Sequence, residues 1–563
     1  MKPQQLFVFS LLLLVVISPI RVKAQGLPEP IVLHINHLFR TWNNSKTPGA
    51  AIAIIKYGQV IYQQAYGMAH VAHQEKLTPD HTFWVASMAK QFTALSVALL
   101  AEEGKLSLND DIRKYLPQLP DLGDTVRIRH LIHHTSGLHD GFTLIGLTFK
   151  GEKHYTNQEV IAAMAQQKSL NFKPGTRYEY LNSGYVLLAE IVAQVSKKSF
   201  AQYTQAAIFR PLGMTYTQFA GNFKNSVPQL ATGYGVNYKD GKVTYRPQHF
   251  KGNTVGSSGL FTTLSDLTKW DANLYHNQLG KGNPALIKQL LTPDTLNNGT
   301  PNPYGFGLEV GTYQGYQATS HSGADPGYKA EMVRFPDQRL TLICLANTED
   351  QYSLTPKLLN LGARIIQGKV TENKPAEINK TENLSRLTGY YLNPENHSDL
   401  SLITEKQGKL FAATSLQGYQ APLVQTAPGQ FQNDGLLEYA IYFRKTDAGE
   451  VAGMVLKNLR ENEVFLQKVK LITLNPENLK KYASRYYSPE LNKTYRLTVK
   501  KGKLGLKIYG IIHVPFQPLE GNQFLADLIG NNCFIFQSDT AGNITGFSFN
   551  RNGVTNLTFT RHL

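Results

Sequence analysis

Ser87-Met88-Ala89-Lys90 is the only Ser-x-x-Lys in the sequence. It falls where an extended stretch, Thr82-Phe83-Trp84-Val85, gives way to Phe92, Leu95, Ala98, Leu99 and Leu100 at helical spacing, with Gly104 ending the run. Residues three apart share a helix face, so the Lys90 amine can reach the Ser87 hydroxyl. A serine hydroxyl is a weak nucleophile at neutral pH and needs a neighbouring base. An amine in a dry pocket can have its pKa lowered enough to be that base. A helix beginning here would also aim backbone N–H groups, that of Ser87 among them, at an oxyanion.

Acyl transfer needs further parts: a proton relay, a group that holds the substrate, and a second oxyanion donor. Tyr180-Leu181-Asn182 leads through Ser183-Gly184 into the helical pattern of Val186–Val195. A phenol beside a lysine can be held partly ionised and pass a proton. An amide two residues on can hydrogen-bond a substrate amide. Tyr-x-Asn also occurs at Tyr275-His276-Asn277 and Tyr391-Leu392-Asn393, but only the first enters a helix through a Ser-Gly turn. His321-Ser322-Gly323 ends a strand pattern just before Ala324-Asp325-Pro326-Gly327. Glycine there lets an edge strand lie close against a ligand, and the Ala324 N–H could join that of Ser87 at an oxyanion.

Taken in chain order, Ser87-x-x-Lys90, Tyr180-x-Asn182 and His321-x-Gly323 resemble the serine β-lactamase and penicillin-binding superfamily. The likeness is greatest to its class C branch, which includes DD-carboxypeptidases, D-aminopeptidases and related esterases. His130-Leu131-Ile132-His133-His134-Thr135-Ser136-Gly137-Leu138 and the segment Ser258–Leu267 also resemble family loops, and the likeness runs over roughly residues 29–366. It implies Ser87 as nucleophile, Lys90 and Tyr180 sharing proton transfer, and Asn182, His321, Ser322 and Gly323 binding substrate. The reading of the residues adds the backbone N–H groups of Ser87 and Ala324 as the oxyanion hole. Class C β-lactamases carry Lys-Thr-Gly where this chain has His321-Ser322-Gly323, which points away from efficient β-lactam hydrolysis and toward peptidase or esterase members.

The expected activity is that of a secreted serine hydrolase on an amide or ester, a D-amino-acid peptide foremost. Alternatives are an esterase, a weak β-lactamase, or a catalytically silent protein that binds cell-wall fragments. No cofactor or metal is expected. His130, His133, His134 and His139 lack the His-Glu-x-x-His spacing of zinc hydrolases, and Gly305-Phe306-Gly307 lacks the third glycine of a dinucleotide site.

The elements that must position these residues read as an α+β domain over 25–367. Its expected form is an antiparallel sheet with helices on both faces plus an all-helical region. Ile31–Trp42 reads as an amphipathic helix, and Ala50–Lys56 with Gln59–Gly67 as a hairpin turning at Tyr57-Gly58. Helical patterns follow at Asn157–Gln167 and Val186–Val195. Strand patterns return at Gly305–Val310, Ala318–Ser322, Lys329–Phe335 and Leu340–Ala346, before a last helix over Thr355–Gln367. Strands at both ends with helices between suggest one sheet closed by the C-terminal part.

A polar linker is expected over 368–383, and then the chain repeats itself. Tyr390-Tyr391, Gly408-Lys409-Leu410 and Gly453 return as Tyr486-Tyr487, Gly502-Lys503-Leu504 and Gly546, a period of about 94 residues. Two small antiparallel β-barrels or sandwiches, 384–470 and 471–563, are expected, with cores independent of the first domain. Residues 1–24 read as a signal peptide: Lys2, the apolar run Leu6–Ile17, and Val22-Lys23-Ala24 before Gln25. That implies a periplasmic or extracellular protein with no stable transmembrane span after cleavage. Cys344 and Cys533 fall in different segments, so no disulfide is expected. The net charge of +16 is scattered. It suits anionic cell-envelope material, and no nucleic-acid module accompanies it. The expected partner is a small peptide, ester or cell-wall-derived substrate.

Overall fold

The computed structural model describes residues 26–149, 155–221, 227–239, 242–248, 253–349, 354–368, 383–397, 399–413, 421–433, 439–458, 463–528 and 531–562. The expected signal peptide and nearly all of the expected linker lie outside them. No helix among the described residues is long and apolar enough to cross a membrane.

Strands β1 (Ala50–Lys56) and β2 (Gln59–Tyr66) form the hairpin. Tyr57 and Gly58 both take positive φ, 51° and 78°, the turn whose twist matches paired strands. The C-terminal strands are β3 (Glu309–Tyr313), β4 (Tyr316–Asp325), β5 (Tyr328–Phe335) and β6 (Leu340–Ala346). They join the hairpin in a six-stranded antiparallel sheet of order β3-β4-β5-β6-β1-β2, with Ala50 opposite Ala346 and Lys56 opposite Leu340. The strand expected at Gly305–Val310 begins later, at Glu309. Gly307 instead turns against the helix Lys90–Glu102, where a Cβ would lie 2.5 Å from the Lys90 carbonyl carbon.

Strand β1 reads as unbroken apolar sequence because both of its faces are covered. Ile52 and Ile54 face one layer with Ile31, Ile35, Leu358 and Leu361. These come from helices α1 (Glu29–Leu38) and α5 (Leu354–Gln367). Ala51, Ala53 and Ile55 face the other layer with Met88, Phe92, Leu95 and Trp270. The second layer holds α2 (Lys90–Glu102), α3 (Asn182–Ser196) and α4 (Leu264–Asn273). Every residue of α2 from Lys90 to Leu100 is buried, and its polar members Lys90, Gln91, Thr93 and Ser96 each have a hydrogen-bond partner, as buried polar groups require.

Eight strands between Gly389 and Val469 close into an antiparallel barrel. A nine-stranded antiparallel sheet between Arg485 and His562 nearly closes, its two edge strands being chain neighbours separated by Phe516. The repeat holds in detail. Tyr391 and Tyr486 are buried and donate their hydroxyls to the carbonyls four residues upstream, Leu387 and Tyr482. Gly453 and Gly546 occupy equivalent places where a Cβ would strike a neighbouring strand carbonyl, at 2.5 and 2.4 Å. Cys344 and Cys533 are unpaired and lie in different clusters.

The expected independence of the cores is corrected for the second repeat. Leu144 and Leu147, on the short helix Gly141–Leu147 of the first domain, are built into the core of the second repeat beside Tyr495, Phe547 and Phe559. Tyr495 donates its hydroxyl to the Leu147 carbonyl at 2.8 Å. Two apolar side chains shared in this way, each contributing about 2 kcal/mol by burial, make the second repeat part of the first domain's fold. Sequence periodicity shows which face of a helix is apolar but not which distant segment will cover it.

Candidate active site

Ser87 sits in a single 3₁₀ turn, Ala86–Ala89, ahead of α2. The Met88 N–H closes that turn on the Val85 carbonyl at 3.1 Å. Ala86 is held at φ 46°, a left-handed conformation that costs an L-residue about 1–2 kcal/mol. A tight apolar cluster of Trp84, Ala86, Phe261 and Tyr328 fixes it there. The turn leaves the Ser87 side chain partly exposed while its neighbours are buried.

Lys90, fully buried, has three partners. Its Nζ lies 3.0 Å from Ser87 Oγ, 2.8 Å from Asn182 Oδ1 and 2.8 Å from the Ser257 carbonyl oxygen. The last two can only accept, so a neutral amine spends its hydrogens on them and turns its lone pair to the Ser87 hydroxyl. Burial lowers the Lys90 pKa to about 7, against the opposing pull of Asp325 and Asp140. The Ser257 carbonyl is a partner that no sequence signal could disclose, because any residue supplies one.

Tyr180 completes the group around Ser87. The Lys90 amine lies 4.8 Å from its ring centroid. Burial is the largest influence on this phenol and raises its pKa, outweighing the opposing influence of Ser87 nearby. The expectation of a partly ionised phenol is therefore corrected: Tyr180 is held protonated, and the Lys90 amine is the group available in its basic form near neutral pH.

His134, read from sequence only as part of a loop, clamps Tyr180 from both sides. Its carbonyl accepts the Glu179 N–H at 2.8 Å, and its Nδ1 accepts the Leu181 N–H at 3.0 Å. Its ring lies 4.3 Å from that of Tyr180, centroid to centroid. Burial keeps its pKa well below the ordinary value, so it stays neutral and can accept. The other histidines of the loop are engaged separately: His130 with the Arg127 N–H, His133 with the Tyr304 carbonyl, and His139 with Glu490.

Strand β4 lies against the nucleophile turn. A Cβ on Gly323 would be 2.1 Å from the Val85 carbonyl oxygen, so only glycine permits this approach. His321, on the same strand face, is buried rather than open to the cleft. Its Nε2 meets the Tyr304 hydroxyl at 2.7 Å and its Nδ1 meets the Ser322 carbonyl at 2.6 Å. Ser322 and Ala324 alternate with these two and are exposed. Pairing with β3 stops at Ser320, which leaves the end of β4 beside Ser87 without a neighbour on that side in the six-stranded sheet. Asp325, missed in the sequence, accepts from Trp84 Nε1 at 2.6 Å and Ser258 Oγ at 2.5 Å. It ties the strand before Ser87, the segment after Ser257 and the end of β4 into one unit.

The second repeat reaches the same machinery. The Gly553 carbonyl accepts the Asp140 N–H at 2.8 Å. The Asp140 carboxylate accepts from both the N–H and the hydroxyl of Ser183, next to Asn182. Thr555 donates its N–H to Asn171 Oδ1 at 2.7 Å, and Asn171 Nδ2 donates to Glu179 Oε1 at 2.8 Å. His139 Nδ1 meets Glu490 Oε1 at 2.6 Å, with both side chains buried. The segments flanking Tyr180 and Asn182 are thus braced from the C-terminal repeat. The structure brings together Ser87, Lys90, Tyr180 and Asn182, with Gly323 and Ala324 alongside and His321 behind them.

The Beta-lactamase family model matches residues 35–360. This chain belongs to the beta-lactamase family. Among its relatives, Penicillin-binding protein 4* of Bacillus subtilis (strain 168) is 31% identical over 377 residues, covering 64% of this chain and 82% of that protein. A D-aminopeptidase of Gluconobacter oxydans (strain 621H) is 29% identical over 303 residues, covering 53% of this chain and 56% of that protein. The solved octameric penicillin-binding protein homologue from Pyrococcus abyssi shares the fold at a TM-score of 0.54 and 24% identity, covering 78% of this chain and 99% of that one. A D-amino acid amidase from Ochrobactrum anthropi SV3 does so at 0.50 and 22%, covering 59% and 98%. The protein is a beta-lactamase-fold serine hydrolase related to penicillin-binding proteins and D-aminopeptidases. Within this family fold, the sheet and the α2 helix place the serine and lysine, and the loops around His134 and Asp325 fix their surroundings.

Proposed function

We propose that this protein hydrolyses an amide or ester through a Ser87 acyl-enzyme, that its substrate class is the D-amino-acid peptide, and that it works outside the cytoplasm. The observation that carries the reading is the buried Lys90 amine, lowered to about 7 and 3.0 Å from Ser87 Oγ. Neutral Lys90 takes the Ser87 proton as Oγ bonds to the substrate carbonyl carbon. The oxyanion is met by the N–H groups of Ser87 and Ala324. Tyr180 gives its proton to the leaving amine or alkoxide as its bond to the carbonyl carbon breaks, and takes the Lys90 proton in its place, which leaves Lys90 neutral again. Water then attacks the acyl-enzyme, giving up a proton along the same route and restoring Ser87. Asn182, whose Oδ1 holds Lys90, presents its amide N–H to the substrate.

The D-peptide assignment draws on the relatives named D-aminopeptidase, and export on residues 1–24. The test is a panel of D-Ala-D-Ala peptides, D-amino-acid anilides, L-amino-acid anilides, p-nitrophenyl esters and nitrocefin, with mass spectrometry of trapped acyl-enzyme. Turnover of D-peptides or D-anilides over their L counterparts, with the acyl group on Ser87, is the expected result. Turnover of esters alone would make it an esterase. Labelling on any other residue, or no turnover of the whole panel, would overturn the mechanism.

A further inference from the structure

We propose that one wall of the second repeat, led by the turn after Ile508, docks this protein on an anionic lipid surface. Four neighbouring strands form the wall: Arg485–Ser488, Lys493–Lys500, Lys503–Ile508 and Ile512–Pro515, flanked by Val554–His562. Their register draws one row of basic residues across all five. His513 is opposite Lys507, Lys507 opposite Arg496, Arg496 opposite Arg485, and Arg485 opposite His562. Directly opposed residues share a sheet face, and this face is the outer one. The residues that alternate with the row, Tyr486, Leu497 and Leu506, belong to the core. Lys507, Arg496, Arg485 and His562 are exposed, and Lys500 and Lys503 oppose each other further along the same face.

None of the five strands contains an aspartate or a glutamate. Like charges placed directly opposite one another weaken a sheet, and nothing within this wall offsets them. An external anionic surface would.

At the end of the row the chain turns through Tyr509 and Gly510, both at positive φ. It lifts three apolar side chains into solvent: Tyr509 is 63% exposed, Ile511 80% and Ile512 49%. Single exposed apolar residues are ordinary, but a contiguous group beside a basic row marks an interaction site. Insertion of a small apolar tip together with attraction of lysine and arginine to acidic headgroups is the two-part recognition that holds a peripheral protein to a bilayer. A nucleic acid or an acidic polysaccharide would use the charge but leave the isoleucines in water, so the tip favours lipid.

The test is co-sedimentation of the purified protein with vesicles of phosphatidylcholine alone or mixed with phosphatidylglycerol. Wild type and variants are prepared identically, so that any contribution of residues 1–24 cancels. Binding to the mixed vesicles, and its loss at high salt, is expected. Each of Arg496→Gln and Lys507→Gln should weaken it about fivefold, and the pair about 25-fold. Ile511→Ser should weaken it about tenfold, and an Ile511→Trp variant should show a blue-shifted emission on the mixed vesicles only. Hydrolysis of a soluble ester should be unchanged throughout, which verifies the fold. Wild-type protein that ignores the mixed vesicles at low salt overturns the proposal. So does binding that follows charge alone, indifferent to Ile511→Ser and equally strong on DNA or a soluble polyanion.

Discussion

The acid limb of the pH–rate profile tests the assignment of Lys90 most sharply. An ordinary lysine, near 10.4, is neutral in roughly one molecule in three thousand at pH ~7. Held at about 7, Lys90 is neutral in about half of the molecules at that pH, a gain of about a thousandfold in competent base. The plot of kcat/KM against pH, on an ester whose product does not titrate in the range, should therefore fall tenfold per unit below about 7 and level off above it. Lys90→Arg replaces a titrating amine with a cation that does not deprotonate. It should lose about 10²- to 10⁴-fold, the usual contribution of a general base, and lose the limb near 7 with it. Asp325 holds the Lys90 pKa up from nearby, so Asp325→Asn should move the limb to lower pH. A limb that survives in Lys90→Arg, or that moves upward in Asp325→Asn, would refute Lys90 as the base.

Stability should show the same group with the opposite consequence. The native amine, at about 7, lies below its unfolded value of about 10.4. Between these pH values the unfolded chain binds the extra proton, and stability rises with pH. Lys90→Met should accordingly gain more against wild type near pH ~6 than near pH ~10 in denaturant titrations; an equal gain at both would contradict burial as the cause. Ser87→Ala should abolish acyl-enzyme formation while circular dichroism is unchanged, and normal turnover in a folded variant rules the nucleophile out. Gly323→Ala must push β4 away from Val85, costing about 1–3 kcal/mol and most of the activity; a variant equal to wild type in both would show that the close approach is dispensable. A chain ended near residue 470 would uncover Leu144 and Leu147 and lose the Gly553 and Thr555 contacts. It should be poorly soluble or, if recovered, slow; full activity in a soluble form would show the second repeat to be a passenger.

The chemical residues and the local elements were legible in the sequence because both depend on near neighbours. Ser87 and Lys90 stand three apart at the head of an apolar helix, and the Tyr57-Gly58 turn joins two strands across two residues. The period of the tail announced two copies of one barrel. Chain order could not supply what depends on segments far apart in sequence. The low pKa of Lys90 comes from its burial among segments that only the fold brings together, and the orientation of Tyr180 comes from a histidine 46 residues upstream. His321, expected at the substrate, turned out buried against Tyr304, since a strand pattern gives the alternation of side chains but not what lies on either side. The cores expected to be separate are joined through Leu144 and Leu147. An apolar face encodes only that it must be covered, and which surface covers it is settled by the shape of the whole chain.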